Sequence, residues 1–149
     1  MEIKTHPPVT VLYGSFRTTL NTLHQYIGTT IKDLQEEAVG QQVLVSGPVY
    51  WIYRGADGKP DTEFTLEIAL PIQGHVQSEK FSVKQLPAFK ALEMEHLGAW
   101  DKLSGVYGQL FKYIDDRRIP INDECREIYL NIDFENPSNN ITTVQMGLI

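Results

Sequence analysis

Two stretches of the chain carry apolar residues at helical spacing. Leu20, Leu23, Ile27, Ile31 and Leu34 recur every three or four positions, which sets them on one stripe of a helix over 18–38. Thr18 or Thr19 is the expected N-cap, and Gly40 follows as a stop signal. A second stripe runs through Trp100, Leu103, Val106, Tyr107, Leu110, Phe111 and Ile114, closed by a charged turn and Pro120. The remaining patterned segments read as strands. Residues 9–16 and 89–95 each lead into a helix, while 43–53 and 63–72 are rich in β-branched and aromatic side chains. Between the latter two, Gly55-Ala56-Asp57-Gly58-Lys59-Pro60-Asp61 is dense in turn-formers and predicts a hairpin. Residues 125–134 and 141–149 repeat the arrangement around Glu135-Asn136-Pro137-Ser138-Asn139-Asn140.

The element order is thus strand, helix, strand, strand, and then the same again. This predicts an α+β fold of tandem strand-helix-strand-strand modules, about 7–73 and 79–149, within one domain spanning 1–149. The polar, glycine-containing segment 74–80 is the expected linker. Each half alone buries too little apolar surface to be stable. Pairing the halves cures that and opens a crevice at their junction, a favoured place for a small-molecule site.

The strand beginning at Cys125 carries the most chemistry. Alternation puts Ile128, Leu130 and Ile132 on one face and Cys125, Glu127, Tyr129 and Asn131 on the other. The apolar face is expected under the helices. Aligning Ile52 with Leu130 brings Val49, Trp51 and Tyr53 into phase with Glu127, Tyr129 and Asn131. Aromatic walls beside a poorly hydrated carboxylate are the chemistry of a site for lipophilic cations. A mid-strand Glu on an open sheet face can equally be solvent-exposed, and that is the expectation for Glu67. Trp100 fits either the core of the first helical turn or the mouth of the crevice. Tyr13 and Phe16 hold the related position in the first half, and Tyr107 and Tyr113 lie on the second helix.

Composition narrows the field. The 149 residues carry a formal net charge of −6, and Arg117-Arg118, beside Asp115-Asp116, is the only adjacent basic pair. This argues against direct nucleic-acid binding. One cysteine, Cys125, excludes an internal disulfide and a cysteine-based zinc cluster. His6, His24, His75 and His96 show no metal-ligand spacing; Ser15 and Ser46 lie in no nucleophile elbow, and no glycine-rich phosphate loop is present. No metal and no cofactor are expected. Every apolar run is interrupted well short of a membrane span, and the opening residues have no leader pattern. The expected location is the cytoplasm.

The segments from Gly47 to Tyr53 and from Asp61 to Ile72 resemble the first half of gyrase-inhibitor-like (GyrI-like) small-molecule-binding domains. His96-Leu97-Gly98-Ala99-Trp100-Asp101-Lys102-Leu103, Arg126-Glu127-Ile128-Tyr129-Leu130-Asn131 and Asn136-Pro137 resemble the second half. The resemblance implies pseudo-twofold symmetry and antiparallel sheets with one long helix per module. It is related to the effector-binding domains of multidrug-responsive transcription regulators, where a glutamate on a Glu-x-Tyr strand faces lipophilic cations. Glu127 matches that position. The implied function is a stand-alone binder of cationic or flat aromatic compounds, with Glu127, Tyr129, Trp51, Tyr53, Trp100, Tyr13, Phe16 and Tyr107 as site residues. Some relatives hydrolyse reactive cyclopropane-containing compounds, which implies as an alternative a hydrolase with Glu127 as general base. A gyrase-inhibitor type of protein interaction is the third expectation.

Overall fold

A computed structural model describes residues 1–26 and 29–149, the side chains of His24 and Tyr26 excepted. Its strands are β1 (Glu2–His6), β2 (Val9–Thr18), β3 (Leu44–Val45), β4 (Val49–Arg54), β5 (Phe64–Gln73), β6 (Ser82–Leu86), β7 (Phe89–Leu97), β8 (Ile121–Asn131) and β9 (Ile141–Leu148). The helices are α1 (Thr29–Gly40) and α2 (Leu103–Arg117), with short 3-10 turns at Leu23–Tyr26, Trp100–Lys102 and Pro137–Asn139. The fold is α+β, and the hairpins β4–β5 and β8–β9 are antiparallel.

Several boundaries differ from the sequence expectation. The first helix starts at Thr29, not near Thr18. Thr18 instead ends β2, paired with Phe64. Its hydroxyl meets that of Thr22 at 2.8 Å, and Thr19 N–H donates to Thr22 Oγ1 at 3.2 Å. Threonines that close a turn through their own side chains compete with helix formation. Leu20 and Leu23 keep their apolar role without being helical: both pack against the core cluster that holds Ile31 and Leu34. The Ile27 position of the predicted stripe lies outside the described residues. The strand expected over 43–53 is broken between Val45 and Val49 by Ser46-Gly47-Pro48, and β1 and β6 are strands the pattern did not announce.

The sheet order is β1-β7-β9-β8-β4-β5-β2-β6, with β3 on β5. β8 and β4 form its central pair. Only Pro87-Ala88 separates β6 from β7, and only Pro7-Pro8 separates β1 from β2. Each link spans three Cα steps, at most about 11 Å. Its two strands stand six positions apart in the sheet, roughly 29 Å if the sheet were flat. The sheet must therefore curl until its ends approach.

The curl explains a second layer of core. On the front face, α1 packs on β5 and β2, and α2 packs on β7 and β9. On the other face, Val11, Ile52, Ala69 and Leu86 form a separate buried cluster. Polar side chains are sealed in the same face. Glu67, 5 % exposed, pairs with Arg54 and with Lys84 at 2.5 Å. Arg54 Nε donates to Glu124 at 2.8 Å, and Glu124 takes Arg126 at 2.7 Å. The Arg126 guanidinium lies 3.7 Å above the Phe89 ring. This chain of charges runs from β6 to β7, the two strands joined by Pro87-Ala88.

The expected exposure of Glu67 is therefore corrected, and so is the assignment of faces on β8. Ile128 is buried behind the sheet opposite Tyr50, and Glu127 lies on the helix side. The alternation holds, but both faces are buried, so apolarity alone did not say which one the helices cover. Ile132 leaves its expected set as well. The ladder shifts register between Tyr129 and Asn131, and Ile132 joins the helix-side cluster.

Candidate functional site

The helices cover the flanks of the front face and leave its central strands, β4 and β8, as the floor of a cleft. On β4, Trp51 and Tyr53 point into it; on β8, Cys125, Glu127 and Tyr129 do. Register sets them side by side, with Trp51 opposite Glu127, Tyr53 opposite Cys125 and Val49 opposite Tyr129. From above, Tyr107 reaches in from α2, and Leu20 and Leu103 line the walls.

At the centre is the Glu127 carboxylate, 6 % exposed. Tyr53 donates its hydroxyl to Oε1 at 3.0 Å and Tyr129 to the same oxygen at 2.5 Å, while Tyr107 donates to Oε2. No lysine, arginine or histidine among the described residues forms an ion pair with it. Burial pushes all three phenols well above the ordinary tyrosine range, and the Glu127 charge raises them further. They therefore stay neutral donors at any physiological pH. Burial likewise pushes the Cys125 thiol up, to about 12, with the Glu127 charge adding to the effect. A thiol at that value is not a nucleophile near neutrality.

Two cavities share this centre. The larger, about 640 Å³, runs along α2 past Tyr107, Phe111, Cys125 and Met146. The smaller, about 250 Å³, is walled by Trp51, Trp100, Tyr129, Ile31 and Ile132. Leu20, Tyr53, Leu103 and Glu127 border both. Trp100 stands edge-on to Tyr129 at 5.4 Å and to Phe134 at 5.8 Å, and its indole N–H donates to Thr142 at 3.1 Å. Trp51 is edge-on to Tyr129 at 5.9 Å. Its indole nitrogen is buried without an acceptor among the described residues, a state that costs about 1–3 kcal/mol.

Of the eight residues expected at the site, the structure gathers Glu127, Tyr129, Trp51, Tyr53, Trp100 and Tyr107 around one cleft. Tyr13 is not among them. It pairs with Ala69 on the back of the sheet, where Lys84 Nζ sits 4.2 Å from its ring centroid. Phe16 faces the helices opposite Leu66 and packs into the core without lining either cavity. Three residues apart on one strand, Tyr13 and Phe16 cannot share a face. Phe111, Leu20, Leu103 and Met146 were not anticipated as lining. Phe111 was within reach, because it follows Tyr107 by one helical turn.

Residues 1–147 match the GyrI-like small molecule binding domain, and the chain belongs to that family. No curated protein matches the sequence. Among solved structures, the EcmrR C-terminal domain superposes with a TM-score of 0.83 at 18 % identity, covering 99 % of this chain and 96 % of that one. SAV2435 bound to tetraphenylphosphonium gives 0.69 at 16 % identity, with coverage of 99 % and 93 %. A hydrolase encoded by lin2189 from Listeria innocua gives 0.70 at 12 %, with coverage of 99 % and 91 %. At such identities the likeness establishes the fold. The chain also matches 57 % of EcmrR in its DNA-bound complex. No helix among the described residues is long and apolar enough to cross a membrane.

Proposed function

We propose that this chain holds lipophilic cations, flat aromatic ones above all, in the cleft between its helices, with Glu127 as the countercharge. One observation carries the reading: a buried carboxylate, satisfied by three neutral hydroxyls, has no cationic partner among the described residues. Hydrogen bonds from phenols keep an anion folded inside, but they leave its charge uncompensated. The rings of Trp51, Trp100 and the three tyrosines add a favourable electrostatic surface for a ligand cation. That SAV2435 has been seen with tetraphenylphosphonium supports the same class of ligand here.

Binding is favoured over hydrolysis by the same geometry. A carboxylate offers about four lone-pair positions, and three are engaged by Tyr53, Tyr107 and Tyr129. Little is left to orient and deprotonate a water.

Titration with tetraphenylphosphonium, followed by calorimetry and tryptophan fluorescence, tests the proposal. Glu127→Gln keeps the shape and removes the charge; it should weaken binding by about 1–3 kcal/mol, while a neutral aromatic of similar size loses much less. Equal losses for the charged and the neutral ligand would refute the countercharge role.

A further inference from the structure

The two cavities that meet at Glu127 are unequal hosts. Pockets for drug-sized ligands run from about 300 to 1,000 Å³. The larger cavity, about 640 Å³, lies in that range, and the smaller, about 250 Å³, lies below it. The larger one is also the acidic one. Asp57, Asp123, Glu124 and Glu127 border it, with no lysine, arginine or histidine among its described lining residues. Phe111 and Ile121, large apolar side chains left exposed, stand on its walls.

Its α2 wall has a gap. Ser104, Gly108 and Phe111 share one helix face and all border the cavity, over about 10 Å along the axis. Gly108 is itself exposed. A Cβ there would meet no described heavy atom within 4 Å, so close packing does not require the glycine. Backbone conformation does not require it either, because Gly108 sits in α2 without a positive φ. A glycine inside a helix otherwise costs stability. Its bare backbone is open to the cavity and to whatever fills it.

We infer that the ligand's aromatic body lies in the larger cavity, flat against α2 at Gly108, and that this glycine lets the protein admit fused three-ring cations. Tyr107, the preceding residue, donates to Glu127 Oε2, so a body held there keeps its positive centre beside the carboxylate. A three-ring plate covers the stretch from Ser104 to Phe111, whereas a single ring reaches Glu127 without crossing Gly108. The inference rests on the cation reading of this cleft and names the shape of the cation.

The test compares N-methylacridinium, with three fused rings, and N,N,N-trimethylanilinium, with one. Gly108→Leu should weaken the acridinium roughly tenfold, as crowding an occupied site does, and the anilinium less than about twofold. Gly108→Ala should fall between. Gly105→Leu is the control: it lies on the same helix in equally empty surroundings and is not among the lining residues. It should leave both affinities unchanged. Neither change should lower the melting temperature, since both replace a helix-breaking glycine. In the natural protein, intermolecular nuclear Overhauser contacts should join the acridinium ring protons to the Gly108 α protons, a readout independent of any variant. Contacts to Trp100 and Ile132 in their place would put the body in the smaller cavity and overturn the inference. So would an acridinium affinity indifferent to Gly108→Leu, equal losses for the two cations, or an equal loss from Gly105→Leu. If the natural protein binds neither cation, the cation reading falls and takes this inference with it; if it binds them and any of those results appears, only the inference falls.

Discussion

Two glutamates in the middle of this sheet are buried to the same degree and treated in opposite ways. Glu67 on β5 faces the back, 5 % exposed, held by the Arg54 guanidinium and the Lys84 ammonium. Glu127 on β8 faces the helices, 6 % exposed, held by three phenols. On the back face the countercharges are part of the protein, and the network they build ties strands from β6 to β7. On the front face the described residues supply hydrogen bonds without a positive charge. One carboxylate is a structural rivet; the other, on the reading proposed above, waits for a positive charge brought by a ligand.

The contrast is sharpest in stability. Glu67→Gln strips the countercharge from Lys84 and leaves Arg54 with Glu124 alone. Breaking a buried pair costs roughly 3–5 kcal/mol, and because both cations remain about a third exposed the lower end, about 3 kcal/mol, is expected in urea unfolding. Glu127→Gln should change stability by less than about 1 kcal/mol, since it relieves an uncompensated buried charge. A larger loss from Glu127→Gln than from Glu67→Gln would break the comparison. Ile128→Asn, on the back face beside Tyr50, should cost about 2–3 kcal/mol by burying an unmatched amide. It should leave cation affinity in the cleft unchanged among molecules that fold. Weakened binding with an unaltered melting temperature would mean that the faces are reversed.

Smaller effects appear in the pH dependence, one on each side of neutrality. Burial pushes the Glu67 carboxyl up, but Arg54 and Lys84 outweigh it and hold the group below its ordinary value of 4.5. Its contribution is complete above that value and is lost as pH falls below it. Tyr53, Tyr107 and Tyr129 are raised above their ordinary 10.0. Their contribution is complete below pH 10 and is lost as pH climbs past it, because the unfolded chain ionises first. Each fully linked phenol adds a slope approaching about 1.4 kcal/mol per pH unit. Chemical denaturation across pH should show Glu67→Gln flattening only the acid limb and Tyr107→Phe only the alkaline one.

Much of this was legible in the residues because strand alternation is a strict rule. Trp51, Tyr53, Glu127 and Tyr129 follow period two along their strands, and the structure sets them side by side. What periodicity could not supply was which side the helices take. That choice rests on the curl of the whole sheet, which buries Ile52 and Ile128 as thoroughly as the helices bury Trp51. The position of Glu67 was hidden for the same reason: its partners lie 13 and 17 residues away on other strands. The threonine turn around Thr18 to Thr22 mimicked a helix start because its apolar neighbours, Leu20 and Leu23, keep helical spacing without helical backbone. Strands β1 and β6, five residues each, are short and largely exposed, so they carry little apolar alternation to read.

The exchange of edge strands has a consequence during synthesis. β1 leaves the ribosome ahead of the rest of this sheet, but among the described residues its one sheet neighbour is β7, which begins at Phe89. At about 5–20 residues per second, that strand waits several seconds with both edges open. β2 waits for a shorter time, since β5, which begins at Phe64, pairs with it before β7 is made. The alternating charges and threonine of Glu-Ile-Lys-Thr-His in β1 keep the waiting edge from pairing with another nascent chain, so the polarity of this strand guards it until its partner is made.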